Sequence, residues 1–323
     1  MNFAVVGLRH SHIFAVADEI SKTAGCAVLG AFEANPEARK AAEAAYKFKK
    51  YYAAYEELLA DSSVAAVAVG DCFGLRGQRV IAALKAGKHV LCDKPICTRL
   101  SELEEIRKLC DEKQLKLGCM LTLRHDPALR TAAEIISSGS LGEVKSVNFT
   151  GQHPLMYGSR PMWYFEKDMH GGTINDIAIH GFDALGFMTG CEYTETLYAH
   201  CWNSFAAEHT DFSDCAQLLG RLSNGAGVMA DVSYSAPNGT GYVLPTYWRF
   251  DIFCEEGFIE CTLGKDSILV STRSELKTLP VKPHAGSCIL DFIQDAAPFD
   301  TGSVLKASEI ALKAQASAAL QTP

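Results

Sequence analysis

Residues 3–12 read Phe-Ala-Val-Val-Gly-Leu-Arg-His-Ser-His. A short apolar run stops at Gly7, and apolar residues spaced three and four apart predict a helix over about 12–24. A strand, a glycine turn and a helix in this order place the free N–H groups of the helix N-terminus beside the end of the strand. That arrangement binds phosphate groups, so this stretch decides how the N-terminal third is interpreted.

The same alternation of strand and helix continues, with short connections, to about residue 121. The short apolar runs that predict the later strands lie at 27–32, 64–69, 88–92 and 115–121. Parallel strands are buried on both faces and are therefore continuous apolar runs. Residues 1–121 are thus predicted to form a doubly wound parallel sheet of the Rossmann dinucleotide-binding type.

The pattern changes after about residue 122, where longer strand-like segments and hairpin signals such as Asn224-Gly225 dominate. Residues 122–323 are predicted to be an α+β domain with a large open, mostly antiparallel sheet, and the whole chain to be α/β. A helix is expected at 174–189 and two late helices at about 287–296 and 303–319. The last helix is expected to pack back on the first domain.

The bulk composition excludes several classes of protein. The chain has 323 residues, of which 48% are hydrophobic and 21% charged, with a net charge of −8. No Lys- and Arg-rich run indicates a nucleic-acid or membrane partner. We find no secretory signal, no membrane span and no Cys-x-x-Cys pair, so the twelve cysteines are interpreted as small buried residues of a cytoplasmic protein.

The turn at Gly7 matches the dinucleotide fingerprint G-x-G-x-x-G only at its first glycine. Arg9 and His12 occupy the second and third glycine positions. One interpretation is an atypical turn in which Arg9, His10, Ser11 and His12 contact the cofactor. The alternative is a turn that no longer admits a dinucleotide.

Glu33 closes the second predicted strand, 26 residues after Gly7. A carboxylate at this place can accept the ribose hydroxyls of NAD and repels the additional phosphate of NADP. We therefore predict NAD as the cofactor and regard NADP as less favoured. The alternative is a surface carboxylate in a turn.

Three segments carry a family resemblance. Residues 86–95 read Ala-Gly-Lys-His-Val-Leu-Cys-Asp-Lys-Pro, residues 171–183 read Gly-Gly-Thr-Ile-Asn-Asp-Ile-Ala-Ile-His-Gly-Phe-Asp, and residues 141–144 read Leu-Gly-Glu-Val. They resemble the A-G-K-H-V-x-x-E-K-P motif, the G-G-x-x-x-D-x-x-x-H-x-x-D helix and the start of the second-domain sheet in the glucose-fructose oxidoreductase / inositol dehydrogenase / MocA (Gfo/Idh/MocA) family. The resemblance covers essentially the whole chain. It implies a homodimer or homotetramer formed through the C-terminal sheet.

The chain departs from this family at two further places. Asp93 stands where the family usually has glutamate, and residues 71–76 read Asp-Cys-Phe-Gly-Leu-Arg where the family often has T-P-N-x-x-H beside the nicotinamide. Asp71 and Cys72 are accordingly predicted to contact the cofactor in an unusual way.

The resemblance places Lys94, Asp176 and His180 in the catalytic site. Lys94 ends a parallel strand, where ligands of such sheets bind, and can donate to a substrate oxygen or to the cofactor ribose. A cis peptide between Lys94 and Pro95 is a further hypothesis. Asp176 and His180 are four residues apart on a predicted helix, and His180 suits general acid–base chemistry. A structural pair or a metal-binding pair are alternatives, although no metal is predicted.

Residues before this helix and after the last Rossmann strand are predicted to line the substrate pocket. Arg124, His125, Arg160 and Trp163, with Tyr164, combine aromatic faces and cations that suit a polyol. Core packing for Trp163 and surface charge for Arg160 are the alternatives.

These residues predict an NAD(H)-dependent oxidoreductase that transfers hydride to or from a secondary alcohol of a sugar, sugar derivative or cyclitol. One alternative is a redox-neutral NAD-using glycosidase of the same family. The other is a catalytically inactive regulator that binds a dinucleotide or metabolite.

Overall fold

The computed structural model describes residues 1–319, which form two units. The first unit contains Met1–Met120, Asp168–Gly171 and Ser287–Ser308. The second contains Leu121–Lys167, Gly172–Gly286 and the residues from Glu309 onward. The residues of each unit are therefore not all contiguous in sequence.

A five-stranded parallel sheet forms the centre of the first unit. Its strands are β1 (Asn2–Val6), β2 (Ala27–Phe32), β3 (Ala66–Val69), β4 (His89–Cys92) and β5 (Leu117–Cys119). Their order is β2-β1-β3-β4-β5, so the direction of winding reverses between β1 and β3. Most of the strand residues are buried, which explains the continuous apolar runs in the sequence.

Five helices alternate with these strands. They are α1 (His12–Lys22), α2 (Pro36–Ala45), α3 (Tyr55–Ala60), α4 (Phe73–Lys85) and α5 (Leu100–Lys113). The buried face of α1 consists of the apolar residues three and four apart that predict this helix. The Asn35 side chain caps α2 by accepting the Ala38 N–H, and Pro36 fits the first helical position.

An eight-stranded sheet forms the centre of the second unit. Its strands are β6 (Val144–Pro154), β7 (Tyr193–Trp202), β8 (Cys215–Leu222), β9 (Gly227–Ala236), β10 (Arg249–Cys254), β11 (Gly257–Thr262), β12 (Ser267–Thr272) and β13 (Leu276–Pro280). The order is β13-β12-β11-β10-β6-β9-β8-β7, and only β6 and β9 pair in parallel. The predicted fold class is therefore confirmed. The sequence pattern did not predict β13.

Two helices cover one face of this sheet. The helix α6 (Pro127–Ser137) packs against β11 and β12, and α7 (Ile179–Thr189) packs against β6 and β7. Exposed residues alternate with buried ones along β8, which identifies the opposite face as open to solvent. The prediction of one α-helix over 174–189 was partly wrong, because Ile174–Ala178 form a π-helical turn before α7 begins.

The two predicted late helices are confirmed as α8 (Cys288–Gln294) and α9 (Thr301–Ala319). Within the first unit, α8 packs against β5, and Ile289 and Phe292 join the core around β1. All twelve cysteines carry free thiols. Among the helices of residues 1–319, none has the length and apolar content needed to cross a membrane.

Candidate functional site

Two residues meet where the strand order of the first unit reverses. Gly7 follows β1 and Asp71 follows β3, and the Asp71 N–H donates to the Gly7 carbonyl at 3.0 Å. Gly7 has a φ of +77°, and a Cβ there would lie 2.3 Å from the Asp71 Cβ. Glycine permits both this backbone conformation and this close approach. Ligands of open α/β sheets bind at the carboxyl ends of strands beside such a reversal.

Asp71 is fully buried and forms ion pairs with two arginines. The Arg9 Nη2 lies 2.7 Å from Asp71 Oδ1, and the Arg79 Nε lies 3.4 Å from Asp71 Oδ2. The Cys72 N–H also donates to Asp71 Oδ1 at 2.9 Å. Arg9 and Asp71 are both departures from the family motif, and they neutralise each other. Cys72 is buried at the N-cap position of α4.

A second set of charged residues surrounds Asp93 at the end of β4. The His10 Nδ1 lies 2.9 Å from Asp93 Oδ2, and the His12 Nδ1 lies 3.5 Å from the same oxygen. The Arg76 Nη2 approaches this oxygen at 2.8 Å. Asp93, His10 and Arg76 are buried, whereas the His12 side chain is 58% exposed. No motif or spacing in the sequence indicates that these four residues meet.

The charges in this cluster determine two protonation states. Burial lowers the pKa of His10 to about 4, although the Asp93 carboxylate acts in the opposite direction. Burial alone would raise the pKa of Asp93, but Arg76 and the two imidazoles outweigh it and hold that pKa well below its usual value. At neutral pH the cluster therefore contains a carboxylate and a neutral His10.

Arg76 also fixes the backbone around Lys94. Its Nε donates to the Gly70 carbonyl at 2.9 Å, and its Nη1 donates to the Lys94 carbonyl and, at 3.3 Å, to the Pro95 carbonyl. The Lys94–Pro95 peptide is cis. The Lys94 side chain is buried, and its Nζ lies 5.8 Å from the centre of the Phe73 ring. The position of the family's histidine is thus taken by an arginine that holds the ends of β3 and β4 together.

The carboxylate of Glu33 lies just beyond β2 and is held by backbone donors. It accepts the N–H of Leu8, in the turn after β1, and the N–H of Asn35 at 2.7 Å. Each carboxylate oxygen can accept a further hydrogen bond. The N-terminus of α1 at His12 offers the partial positive charge that favours a phosphate. The residues present therefore fit a dinucleotide, with Gly7 and α1 at the diphosphate and Glu33 at a ribose.

In the second unit, Asp176 lies on the π-helical turn and His180 in the first turn of α7. Both side chains are buried. The Gln315 Oε1 accepts the Ile174 N–H at 2.9 Å and the Asn175 N–H at 3.4 Å, so a side chain from α9 caps this turn. Such π-helical turns are frequent at functional sites. A spacing of four residues in the sequence could not distinguish this turn from an α-helical one.

A tyrosine from β9 contacts the carboxylate of Asp176. The buried Tyr234 hydroxyl donates to Asp176 Oδ2. Burial and the nearby Asp176 charge raise the pKa of Tyr234 well above its usual value, so the hydroxyl keeps its proton. The centre of the His180 ring lies 5.8 Å from the ring centre of buried Trp248. The alternating pattern of β9 gave no sign that Tyr234 has this role.

The predicted pocket residue Arg160 lies next to Tyr234. Its Cζ is 5.6 Å from the centre of the Tyr234 ring and 4.5 Å from that of Tyr164. The guanidinium also donates to the Leu155 carbonyl at 2.8 Å and to the Tyr164 hydroxyl at 3.2 Å. Trp163 is buried, with its ring centre 4.2 Å from that of Tyr164. Arg160 is therefore a partly buried, well-anchored cation near Asp176 and not a loose surface charge.

The other two predicted pocket residues have protein partners of their own. Arg124 and Asp183 form a buried two-pronged ion pair, in which the Arg124 Nε lies 2.7 Å from Asp183 Oδ2. The rings of His125 and His284 stack, with 3.3 Å between the His125 Nδ1 and the His284 Nε2. Asp183, which extends the motif of Asp176 and His180, thus pairs with Arg124.

These features define a class of protein in which a parallel sheet of the dinucleotide-binding type is followed by a large, mostly antiparallel sheet. Residues 1–120 match the family described as "Oxidoreductase family, NAD-binding Rossmann fold", and residues 129–260 match the "GFO/IDH/MocA C-terminal domain". The chain therefore belongs to the Gfo/Idh/MocA oxidoreductase family, and its first unit contains an NAD-binding Rossmann domain.

Several proteins of known sequence are similar to this chain. An oxidoreductase of Synechocystis sp. is 30% identical over 249 residues, which are 72% of this chain and 62% of that protein. The D-xylose 1-dehydrogenase (NADP(+)) 2 of Haloferax volcanii is 30% identical over 200 residues, which are 60% of this chain and 58% of that protein. The matched stretch thus spans less than two thirds of either relative.

A solved structure of levoglucosan dehydrogenase, in complex with NADH and levoglucosan, has a TM-score of 0.80 to this chain at 21% identity. The similarity covers 100% of this chain and 98% of that one. At this level of identity the likeness concerns the fold.

Proposed function

We propose that this protein is an NAD(H)-dependent oxidoreductase that transfers hydride to or from a secondary alcohol of a sugar, sugar derivative or cyclitol. The observation that carries the proposal is the buried Lys94, whose backbone is held by Arg76 at the carboxyl end of the parallel sheet. The same arginine binds Asp93 beside residues 7–12, the turn that leads from β1 into α1 (the phosphate turn). The similarity to a D-xylose 1-dehydrogenase supports a polyhydroxylated substrate.

Each candidate residue of the two units has a proposed chemical task. A nicotinamide, when bound, would supply or accept the hydride. The Lys94 ammonium donates to the substrate oxygen and stabilises negative charge that develops there. His180 takes the hydroxyl proton in oxidation and returns it in reduction. Asp176, held by Tyr234, orients the substrate or the imidazole, and Arg160 binds substrate hydroxyl groups.

The proposed cofactor is NAD in preference to NADP. Glu33 is buried and held by two backbone N–H groups, so its carboxylate is fixed just beyond β2, where we propose that the ribose binds. A fixed negative charge there repels a 2′-phosphate. The name of the Haloferax volcanii relative includes NADP(+), so the preference of this chain requires a direct test.

The alternative of an inactive regulator rests on the lost glycines and the altered 71–76 segment. Arg9 and Asp71 form an ion pair, and so do Arg76 and Asp93. Because the residues that depart from the family motifs neutralise each other's charge, we interpret the turn as a modified dinucleotide site that still binds and not as one that has lost binding.

The first test is calorimetric titration with NADH and, separately, NADPH, after a denatured sample has been checked for cofactor carried through purification. We expect micromolar binding of NADH and much weaker binding of NADPH. A screen of sugars and cyclitols with NAD then identifies the substrate. If neither dinucleotide binds and none is carried over, the dehydrogenase proposal is wrong and a metabolite-binding regulator takes its place.

The second test is Lys94→Ala, compared with Lys108→Ala, which changes an exposed lysine on α5. We expect Lys94→Ala to lower kcat by about a hundredfold or more while NADH affinity changes little. Lys108→Ala should leave both unchanged. Full turnover by Lys94→Ala would remove Lys94 from the mechanism.

A further inference from the structure

The phosphate turn and the end of β4 bring together three side chains that are common metal ligands. His10 and His12 lie on the turn, and Asp93 follows β4. Their ligand atoms lie within 4.8 Å of one another. The His10 and His12 Nδ1 atoms lie 2.9 Å and 3.5 Å from Asp93 Oδ2. Two ligands bound tetrahedrally to one zinc ion are about 3.4 Å apart, so the His12–Asp93 spacing fits a shared ion and the hydrogen-bonded His10–Asp93 pair would have to open by about 0.5 Å.

The donor set determines the class of metal. Two imidazoles and one carboxylate favour a borderline divalent cation such as Zn²⁺ or Co²⁺ over Mg²⁺ or Ca²⁺, which prefer oxygen ligands. Asp93 is already oriented for such a role, because its Oδ1 accepts the Lys94 N–H at 2.9 Å. A hydrogen bond of this kind to the second carboxylate oxygen normally holds a ligating carboxylate in position.

The surrounding charge requires a further ligand. The Arg76 guanidinium, 2.8 Å from Asp93 Oδ2, cancels the charge of the carboxylate, and the N-terminus of α1 adds a partial positive charge. A bare dication would therefore be disfavoured. An anionic oxygen would balance it, and the side of the cluster at His12 is open, because that side chain is 58% exposed.

We propose that His10, His12 and Asp93 bind a zinc-class divalent cation whose coordination is completed by an anionic phosphate oxygen. The metal site does not depend on the proposed function. Identification of the phosphate as the dinucleotide diphosphate does rest on it. In this arrangement a metal ion attracts the two negative charges of the diphosphate to the start of α1, where the second and third glycines of the fingerprint are missing.

The first experiment measures metal binding without any dinucleotide. Protein stripped with EDTA and dialysed is titrated calorimetrically with ZnCl2, and CoCl2 binding is followed by visible absorption. We expect one equivalent of metal for the wild type and at least about tenfold weaker binding for His12→Ala. His200→Ala, which removes an imidazole from β7, is the matched control and should bind like the wild type. Because His12 is exposed, its replacement leaves the fold intact.

The second experiment titrates NADH, and separately inorganic phosphate, with and without one equivalent of Zn²⁺. We expect zinc to tighten NADH binding by about tenfold in the wild type and not in His12→Ala, and NADH to tighten zinc binding by the same factor. Tightening of phosphate as well supports coordination through a phosphate oxygen.

Each contrary outcome has a distinct meaning. Zinc binding that is absent, or equal in the wild type and His12→Ala, overturns the metal site and leaves the imidazoles as hydrogen-bond partners of Asp93. NADH binding that is tight and indifferent to zinc overturns the phosphate ligand but leaves the oxidoreductase proposal in place. Specific zinc binding without any dinucleotide binding supports the metal site and overturns the oxidoreductase proposal.

Discussion

The phosphate turn of the first unit and the Asp176–His180 segment of the second relate to the family pattern in opposite ways. The turn departs from the pattern at Arg9 and His12, whereas the segment keeps the motif residues in order. Both nevertheless depend on partners distant in sequence, since Arg9 pairs with Asp71 after β3 and Asp176 takes a hydrogen bond from Tyr234 on β9. Agreement with a motif therefore does not predict which distant residues hold a segment in place.

The departures at the turn occur in contacting pairs. Arg9 pairs with Asp71, and Arg76 and His12 both lie within 3.5 Å of Asp93. A buried charge without a partner is costly, so a change at one strand end requires a change at the neighbouring one. A group of departures that neutralise each other indicates a remodelled site, whereas unpaired departures would indicate loss of the site.

The largest effect should follow from Arg76→Met. This change leaves the buried Asp93 without its arginine and frees the Lys94 carbonyl, so we expect the free energy of unfolding to fall by about 3–5 kcal/mol. Urea denaturation measures it. Arg79→Met, three residues along α4 with a side chain 24% exposed, is the control and should cost much less. Equal effects of the two substitutions would mean that the turn does not depend on this pairing.

The second unit should be tested with Tyr234→Phe. Loss of the hydroxyl leaves the buried Asp176 carboxylate without this donor, and we expect a destabilisation of about 1–3 kcal/mol. Tyr193→Phe is the comparison, because that buried tyrosine contacts the neutral Thr196 hydroxyl at 3.2 Å. A Tyr193→Phe cost as large as that of Tyr234→Phe would show that the charged partner has no special importance.

A double-mutant cycle tests whether Arg9 and Asp71 act as a pair. Arg9→Gly and Asp71→Thr restore the family residues, and we expect a coupling free energy of about 1 kcal/mol in urea denaturation. The reference is the surface pair of Arg39 and Glu43 on α2, whose Nε and Oε1 atoms are 3.0 Å apart. For this pair we expect a coupling free energy of about 0.3–0.5 kcal/mol. Strict additivity at Arg9 and Asp71 would contradict the idea of paired departures.

The smallest effect on stability is expected on the open face of the eight-stranded sheet. Tyr198, Leu219 and Met229 are exposed there and line a cavity of about 430 Å³. We propose that this face is the contact surface between copies of this chain in a homo-oligomer. Met229→Lys should change the free energy of unfolding by no more than about 0.5 kcal/mol but lower the mass measured by light scattering. Val243→Lys, at an exposed site outside the strands, should not change the mass; equal masses for both variants would contradict the proposal.

Much of the fold could be predicted because buried parallel strands are recognisable as apolar runs bounded by turns. The exception is β13, Leu276–Pro280, whose residues are largely exposed and so show no alternation of apolar and polar residues. The π-helical turn could not be predicted either, because the Gln315 cap that accompanies it comes from the other end of the second unit's sequence.

The candidate site could be predicted as a set of residues but not as a set of contacts. Arg9, Asp71 and Asp93 stand out in the sequence as departures from the family motifs, yet their pairing follows from strand order, which brings the ends of β1, β3 and β4 side by side. Arg76 stands out in the sequence only as the residue at the position of the family's histidine. Tyr234 gave no signal, because its strand has the ordinary pattern of a half-buried sheet.

The position of α8 constrains how the chain can be made. The ring centres of Phe292 on α8 and Phe3 on β1 are 5.8 Å apart. Phe292 also packs closely on Gly118, because a Cβ atom added to Gly118 would lie 2.8 Å from the Phe292 ring. A ribosome releases all five strands of the first unit before it releases α8. Part of one apolar face of the nascent N-terminal sheet therefore stays uncovered until α8 has emerged, and most of the second unit emerges in the meantime. A fragment that stops at residue 120 would keep that part of the face exposed permanently.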